Sequence, residues 1–144
     1  MSIIKLSNNG VKNATAFGSI TGLGNLVFIS RSTASSSASL SITSGINSTY
    51  KEYIFFFNNI HPATDNSHFQ FNLSVDGGSN YNVTKTSSVF NTYHDEADNY
   101  TQLAYSGEYD LAQSTGYQPF THQVSNDDDA SVSGFLHLFD PTNT

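Results

Sequence analysis

YKEYIFFFNNIHPATDNSHFQFNLSVDGGSNYNVTKT, residues 50–86, is the stretch on which the fold turns. Within it HFQFNLSVD (68–76) alternates without a break: Phe69, Phe71, Leu73 and Val75 are apolar, and the residues around them are polar. A strand sends successive side chains to opposite faces, so this run predicts one face toward a core and one toward water. Asp76-Gly77-Gly78-Ser79-Asn80 supplies residues that tolerate positive φ, as a tight reversal needs. Tyr81-Asn82-Val83 then begins a return strand over 81–86. Ahead of it, Tyr53-Ile54-Phe55-Phe56-Phe57 is apolar on both parities, the pattern of a central strand covered on both sides. Three such strands predict a sheet at the centre of an all-β domain.

Working outward, Val132, Gly134, Leu136 and Leu138 alternate with Ser133, Phe135, His137 and Phe139, which predicts a last strong strand over 132–139. Leu26-Val27-Phe28-Ile29 reads as a short buried strand, and Leu40 and Ile42 as the inward positions of a half-buried one. Residues 87–94, with Val89, Phe90 and Tyr93, read as a further strand. Asp110-Leu111-Ala112-Gln113 is compatible with one helical turn. The first two dozen residues scatter apolar positions among Asn8-Asn9-Gly10, Gly18, Gly22 and Gly24, which suggests an extended arm. No segment carries a 3.6-residue period and no repeat is visible, so the expected fold is a single antiparallel β-sandwich, jelly-roll-like, at 25–144, preceded by an N-terminal arm at 1–24. The strand positions expected to be buried are Phe55, Phe71, Leu73, Leu136 and Leu138.

Composition narrows the function. The chain has 144 residues, no Cys and no Trp, so its core must come from 11 Phe, 8 Tyr and the aliphatics. Without Cys it uses no disulfide, which suits assembly in a reducing cytoplasm. Only 12% of residues are charged and about a third are Ser, Thr or Asn, giving a surface solvated by hydroxyls and amides that depends little on salt. A net charge of -7 argues against nucleic-acid binding, which needs clustered Lys and Arg. The opening MSIIKLSNNG lacks the apolar run of a signal peptide, and nothing approaches a membrane span.

Catalytic patterns are absent from the sequence. There is no G-x-S-x-G elbow and no H-E-x-x-H, and His61, His68, His94, His122 and His137 lack ligand spacing, so neither metal nor other cofactor is expected. Asp95, Glu96, Glu108 and Asp110 cluster in sequence, but a glycosidase needs two carboxyls about 5–9.5 Å apart, and solvation of loops is the favoured reading. Asp127-Asp128-Asp129 lacks the D-x-D-x-D-G order of a calcium loop. N-x-S/T triplets at Asn13, Asn47, Asn72, Asn82 and Asn99 are the chance yield of this composition. Tyrosine is the better functional signal, because its ring offers an apolar face with a hydroxyl at the tip, suited to sugars and to protein interfaces. Tyr100, Tyr105, Tyr109 and Tyr117, with Phe135 and Phe139, are the candidate interface or glycan-contact residues.

ITSGINSTYKEYIFFFNNIHPATD (42–65), SVDGGSNYNVTKTSS (74–88), YHDEAD (93–98), DLAQSTGYQ (110–118) and SGFLHLFDPTNT (133–144) together resemble a group of virion proteins from phages of cyanobacteria and other marine bacteria. The resemblance covers about two thirds of the chain and leaves out the first forty residues. These segments carry no chemistry of their own, so they imply class and not mechanism. Members of the group continue past the LHLF strand, which implies either a shortened member or a sheet completed by something else.

The resulting expectation is a non-enzymatic structural protein of a phage virion, a capsid decoration or a tail or fibre component, assembled in the host cytoplasm. Its partners are other copies of itself and other virion proteins. The alternative is a carbohydrate-binding module of a tail fibre that contacts a host glycan. A strand as apolar as 132–139 has Phe135 and Phe139 opposite Leu136 and Leu138, so both its faces need cover and its edge must not stand bare. A homotrimer joined through the arm (Met1 to Leu23) and the aromatic face of that strand is expected, its stoichiometry by analogy with phage appendages.

Overall fold

The computed structural model describes residues 26–142. The chain divides into two compact units, Met1–Arg31 and Ser32–Thr144. Of the first, residues 26–31 are described. They form no strand, and Leu26, Val27, Phe28 and Ile29 are exposed, so the buried strand expected there is not formed. The arm at 1–24 lies outside the described residues.

The second unit is all-β. Its strands are β1 (Glu52–Ile60), β2 (Gln70–Phe71), β3 (Phe90–His94), β4 (Thr101–Tyr105), β5 (Gln118–Pro119) and β6 (Val132–Phe139), with no helix among the described residues. They pair antiparallel into three two-stranded sheets, β1–β6, β2–β5 and β3–β4. The strands expected at 53–57 and 132–139 are present and paired with each other: Tyr53 faces Leu138, Phe55 faces Leu136 and Phe57 faces Gly134. Beyond Phe57 the register slips before Ile60 meets Val132. Asn59 takes a φ of 53° there, and its N–H bonds to Ser133 Oγ at 3.1 Å, an irregularity that asparagine tolerates better than most residues.

The long strand expected at 69–75 is formed only at Gln70–Phe71, and none forms over 81–86. Side-chain chemistry explains the loss. Asn72 Nδ2 donates to the Tyr81 carbonyl at 2.8 Å and to the Thr115 carbonyl at 3.1 Å, while its Oδ1 accepts Lys85 Nζ at 2.6 Å. An amide that occupies backbone carbonyls and a lysine in this way displaces a regular ladder. Each half of the expected hairpin finds another partner. Ser67 exchanges backbone bonds with Val124, and Phe120 N–H donates to Phe69 O at 2.8 Å. Lys85 exchanges bonds with Ser114, and Ser87 N–H donates to Leu111 O at 2.9 Å. The reversal itself is present, with Gly77 at φ 68° and Gly78 at φ 90°. A Cβ on Gly78 would meet Thr43 Cγ2 at 2.6 Å, so the position needs glycine twice over. Residues 40–43 form no strand, Leu40 and Ile42 are exposed, and Asp110 to Gln113 make no helical turn.

Packing centres on a knot of phenylalanines. Phe120 stacks on Phe71 at 4.7 Å and touches Phe57 at 5.2 Å and Phe69 at 5.3 Å, while Phe57 meets Phe69 edge-on at 4.9 Å. The knot meets the inner face of β1–β6 through Phe57. Phe55, Phe71, Leu73, Leu136 and Leu138, expected to be buried, are half-buried. Tyr53, 4% exposed, is the one buried hydrophobic residue among the described residues.

Candidate functional site

The register of β1–β6 sorts its side chains into two faces. With Tyr53, Phe55, Leu136 and Leu138 inward, Glu52, Ile54 and Phe56 of β1 share the outer face with Phe135, His137 and Phe139 of β6. Phe56 is 69% exposed, Phe135 64% and Phe139 67%. The double cover expected for the 53–57 strand is therefore missing on this side. Between the rings His137 Nδ1 meets Glu52 Oε1 at 2.5 Å, and the imidazole lies 5.2 Å from Phe135 and 5.9 Å from Phe139.

The β3–β4 hairpin carries apolar groups on both faces. Its register pairs Phe90 with Tyr105 and Thr92 with Leu103 on one side, and Tyr93 with Gln102 on the other. Phe90 is 70% exposed and Leu103 77%, and Tyr105 packs edge-on against Phe90 at 5.5 Å. The Tyr105 hydroxyl donates to Asp110 Oδ2, and that bond to a carboxylate raises the pKa of the phenol. On the opposite face Tyr93 and Tyr100 stack with planes 3° apart and centroids 6.0 Å apart. At the tip, Asp95 Oδ1 accepts the N–H groups of Asn99 and Tyr100, each at 2.8 Å, and His94 Nε2 meets Asp98 Oδ1 at 2.8 Å.

The six candidates are thus dispersed over four places. Phe135 and Phe139 lie together on the β1–β6 face. Tyr100 and Tyr105 share β4's hairpin but face opposite ways. Tyr109 is half-buried, between His68 at 5.3 Å and His122 at 4.9 Å, and accepts a bond from Gln118 Nε2 on its carbonyl at 3.0 Å. It lines a cavity of about 50 Å³ with Asn91, Phe120 and His122, beside an Asn91 Oδ1 that is buried with no hydrogen-bond partner among the described residues. Tyr117 is exposed by itself. Phe56, Phe90 and Leu103 are not among the sequence candidates, although the run of three phenylalanines at 55–57 already places one ring on each parity.

The carboxylates divide in the same way. Asp95 caps the hairpin tip and Asp110 sits beside Tyr105 at its base, separated by the ladder, roughly 15 Å at the rise of a strand. Among the described residues no group of three or more His, Asp or Glu could hold a metal ion. Asp76 has its carboxyl pulled down to about 2 by the Ser74 hydroxyl and then by the Asn80 side chain and backbone N–H. Burial lowers the pKa of Lys85. Asp76 serves the 74–80 turn, and Lys85 Nζ donates to Asn72 Oδ1 and to the Val83 carbonyl. No family model, curated protein or solved structure matches the chain.

Proposed function

We propose that the chain is a non-enzymatic structural protein of a phage virion, a capsid decoration or a tail or fibre component, and that it works by self-assembly. The observation that carries this reading is the outer face of β1–β6, where three phenylalanines stand more than 60% exposed around one His–Glu pair. Soluble monomers rarely leave contiguous apolar surface of this kind uncovered. The resemblance of residues 42–144 to virion proteins of marine phages supplies the setting. In this reading the missing second layer of the β-sandwich is contributed on assembly, by copies of the same chain and by neighbouring virion proteins. Imaging of the intact particle with the subunit labelled is the test. Density for the subunit on head, neck, tail or fibre is the expected result, and a particle complete without it overturns the reading.

A second reading is supported by the Tyr93–Tyr100 stack, exposed on the hairpin beside Gln102. Parallel aromatic rings next to an amide suit the apolar face and hydroxyls of a pyranose. It predicts that the purified chain binds a host surface glycan and that Tyr100→Ala abolishes binding. Retention of binding by the variant excludes this site.

A further inference from the structure

We infer that the outer face of β1–β6 receives the Phe90–Leu103–Tyr105 face of the β3–β4 hairpin from a second copy of the chain, and that such head-to-tail joints close into a ring. The inference rests on the self-assembly reading and names its contact surface. Both faces are apolar and uncovered: Phe56, Phe135 and Phe139 at 69%, 64% and 67% exposure on one, Phe90, Leu103 and Tyr105 at 70%, 77% and 52% on the other. They match in length, since a five-residue ladder of about 17 Å fits along an eight-residue strand of about 27 Å.

Charge does not oppose the joint. The titratable groups of the receiving face are Glu52 and His137, bonded to each other, and His94 of the hairpin face is bonded to Asp98. The Tyr105 hydroxyl is satisfied by Asp110. Each of these ionisable groups is therefore hydrogen-bonded within its own copy, and none brings an unsatisfied polar group into the contact.

Area decides between the possible arrangements. Three large side chains exposed to this degree offer about 300–500 Å² on each face, so one joint removes about 600–1,000 Å² of apolar surface. A stable interface removes about 1,200–2,000 Å². An open dimer makes one joint, falls below that range and leaves one face of each copy bare. A symmetric dimer through β1–β6 alone leaves both hairpin faces bare. In a closed ring each copy makes two joints, which together remove about 1,200–2,000 Å², and no face stays bare, whereas an open head-to-tail filament leaves a bare face at each end.

The chain contains no cysteine, so two introduced thiols report the joint directly. Phe135→Cys and Leu103→Cys are made in separate full-length chains, each checked by far-UV spectrum, then co-refolded and oxidised. The expected result is a covalent dimer in the mixture and none in either variant alone. Cross-linking of Phe135→Cys with itself, or no cross-link in the mixture, overturns the inference. A chain carrying both thiols should give a ladder that stops at a closed ring, and a ladder running on without limit overturns closure. Hydrogen exchange on the unmodified protein tests the joint without any substitution. Residues 54–56, 90, 103–105 and 135–139 gain protection together as concentration rises if the joint forms, and separately or not at all if it does not. These measurements use purified protein, so their failure is independent of whether the subunit is found on a particle.

Discussion

Asp76 shows how one carboxylate organises a reversal that two glycines only permit. Its Oδ1 accepts the Ser74 hydroxyl at 2.6 Å and the Asn80 N–H at 2.8 Å, and its Oδ2 accepts Asn80 Nδ2 at 2.6 Å. All these donors favour the charged form, which is why the carboxyl titrates at about 2 and not at 3.8. A depressed folded pKa stabilises the turn fully above the unfolded value, and that contribution fades as pH falls through about 2. Carboxyl NMR of Asp76 should give a midpoint near 2, and a midpoint at the ordinary aspartate value would show that the Ser74 and Asn80 bonds do not form in solution. Tyr53 does comparable work by burial. Its hydroxyl donates to the Asn47 carbonyl at 2.7 Å and accepts the Asn47 N–H at 2.9 Å, tying the loop before β1 to the strand. Tyr53→Phe keeps the ring and loses both bonds, so denaturant unfolding should register a loss of about 1–2 kcal/mol.

At the scale of elements, the phenylalanine knot joins β1 to the β2–β5 pair, and Phe120 is its hub because it touches Phe57, Phe69 and Phe71. Phe120→Ala should cost about 2–3 kcal/mol, less than the roughly 3–5 kcal/mol of a fully enclosed ring because Phe120 is only half-buried. Urea unfolding checks this, and a loss below about 0.5 kcal/mol would mean that the rings do not pack as a unit. Two of these elements are readable from pattern alone. The parities of 53–57 and 132–139 are strong, and the strands they predict are there, paired antiparallel. The alternation at 69–75 is as regular, yet it gives only two ladder residues. Periodicity reports which side chains share a face, and Phe69 and Phe71 do share one. It does not report where the backbone bonds go, and here Asn72 and Lys85 redirect them through their side chains. The pairing of 67–71 with 118–124 spans about fifty residues, and β4 carries Gln102 and Leu103 in no clear alternation, so neither leaves a local signal. The candidate site is legible in part for a related reason. Phe135 and Phe139 are marked as outward once Leu136 and Leu138 are inward, whereas the faces of Tyr100 and Tyr105 depend on a register that only the folded hairpin sets.

For the whole molecule, the question is what force would join copies that each carry a net charge of -7. Like charges repel, so electrostatics opposes association of any two copies, and added salt screens that repulsion over about 8 Å at physiological ionic strength. The faces inferred to meet are largely apolar, and their few ionisable groups are hydrogen-bonded within each copy. Burial of apolar surface is then the driving term, and it does not weaken with sodium chloride. Association should therefore hold or tighten slightly as salt rises from about 0.05 to 0.5 M, and tighten further in sulfate, which strengthens apolar burial. Phe56→Ser combined with Phe135→Ser should shift sedimentation toward the monomer at every salt concentration, since both substitutions remove exposed rings from one face without touching the phenylalanine knot. A contact built on charge behaves in the opposite way. If sedimentation equilibrium shows the oligomer dissociating as salt is added, with the double serine variant assembling as the parent does, the aromatic faces are not what holds the copies together.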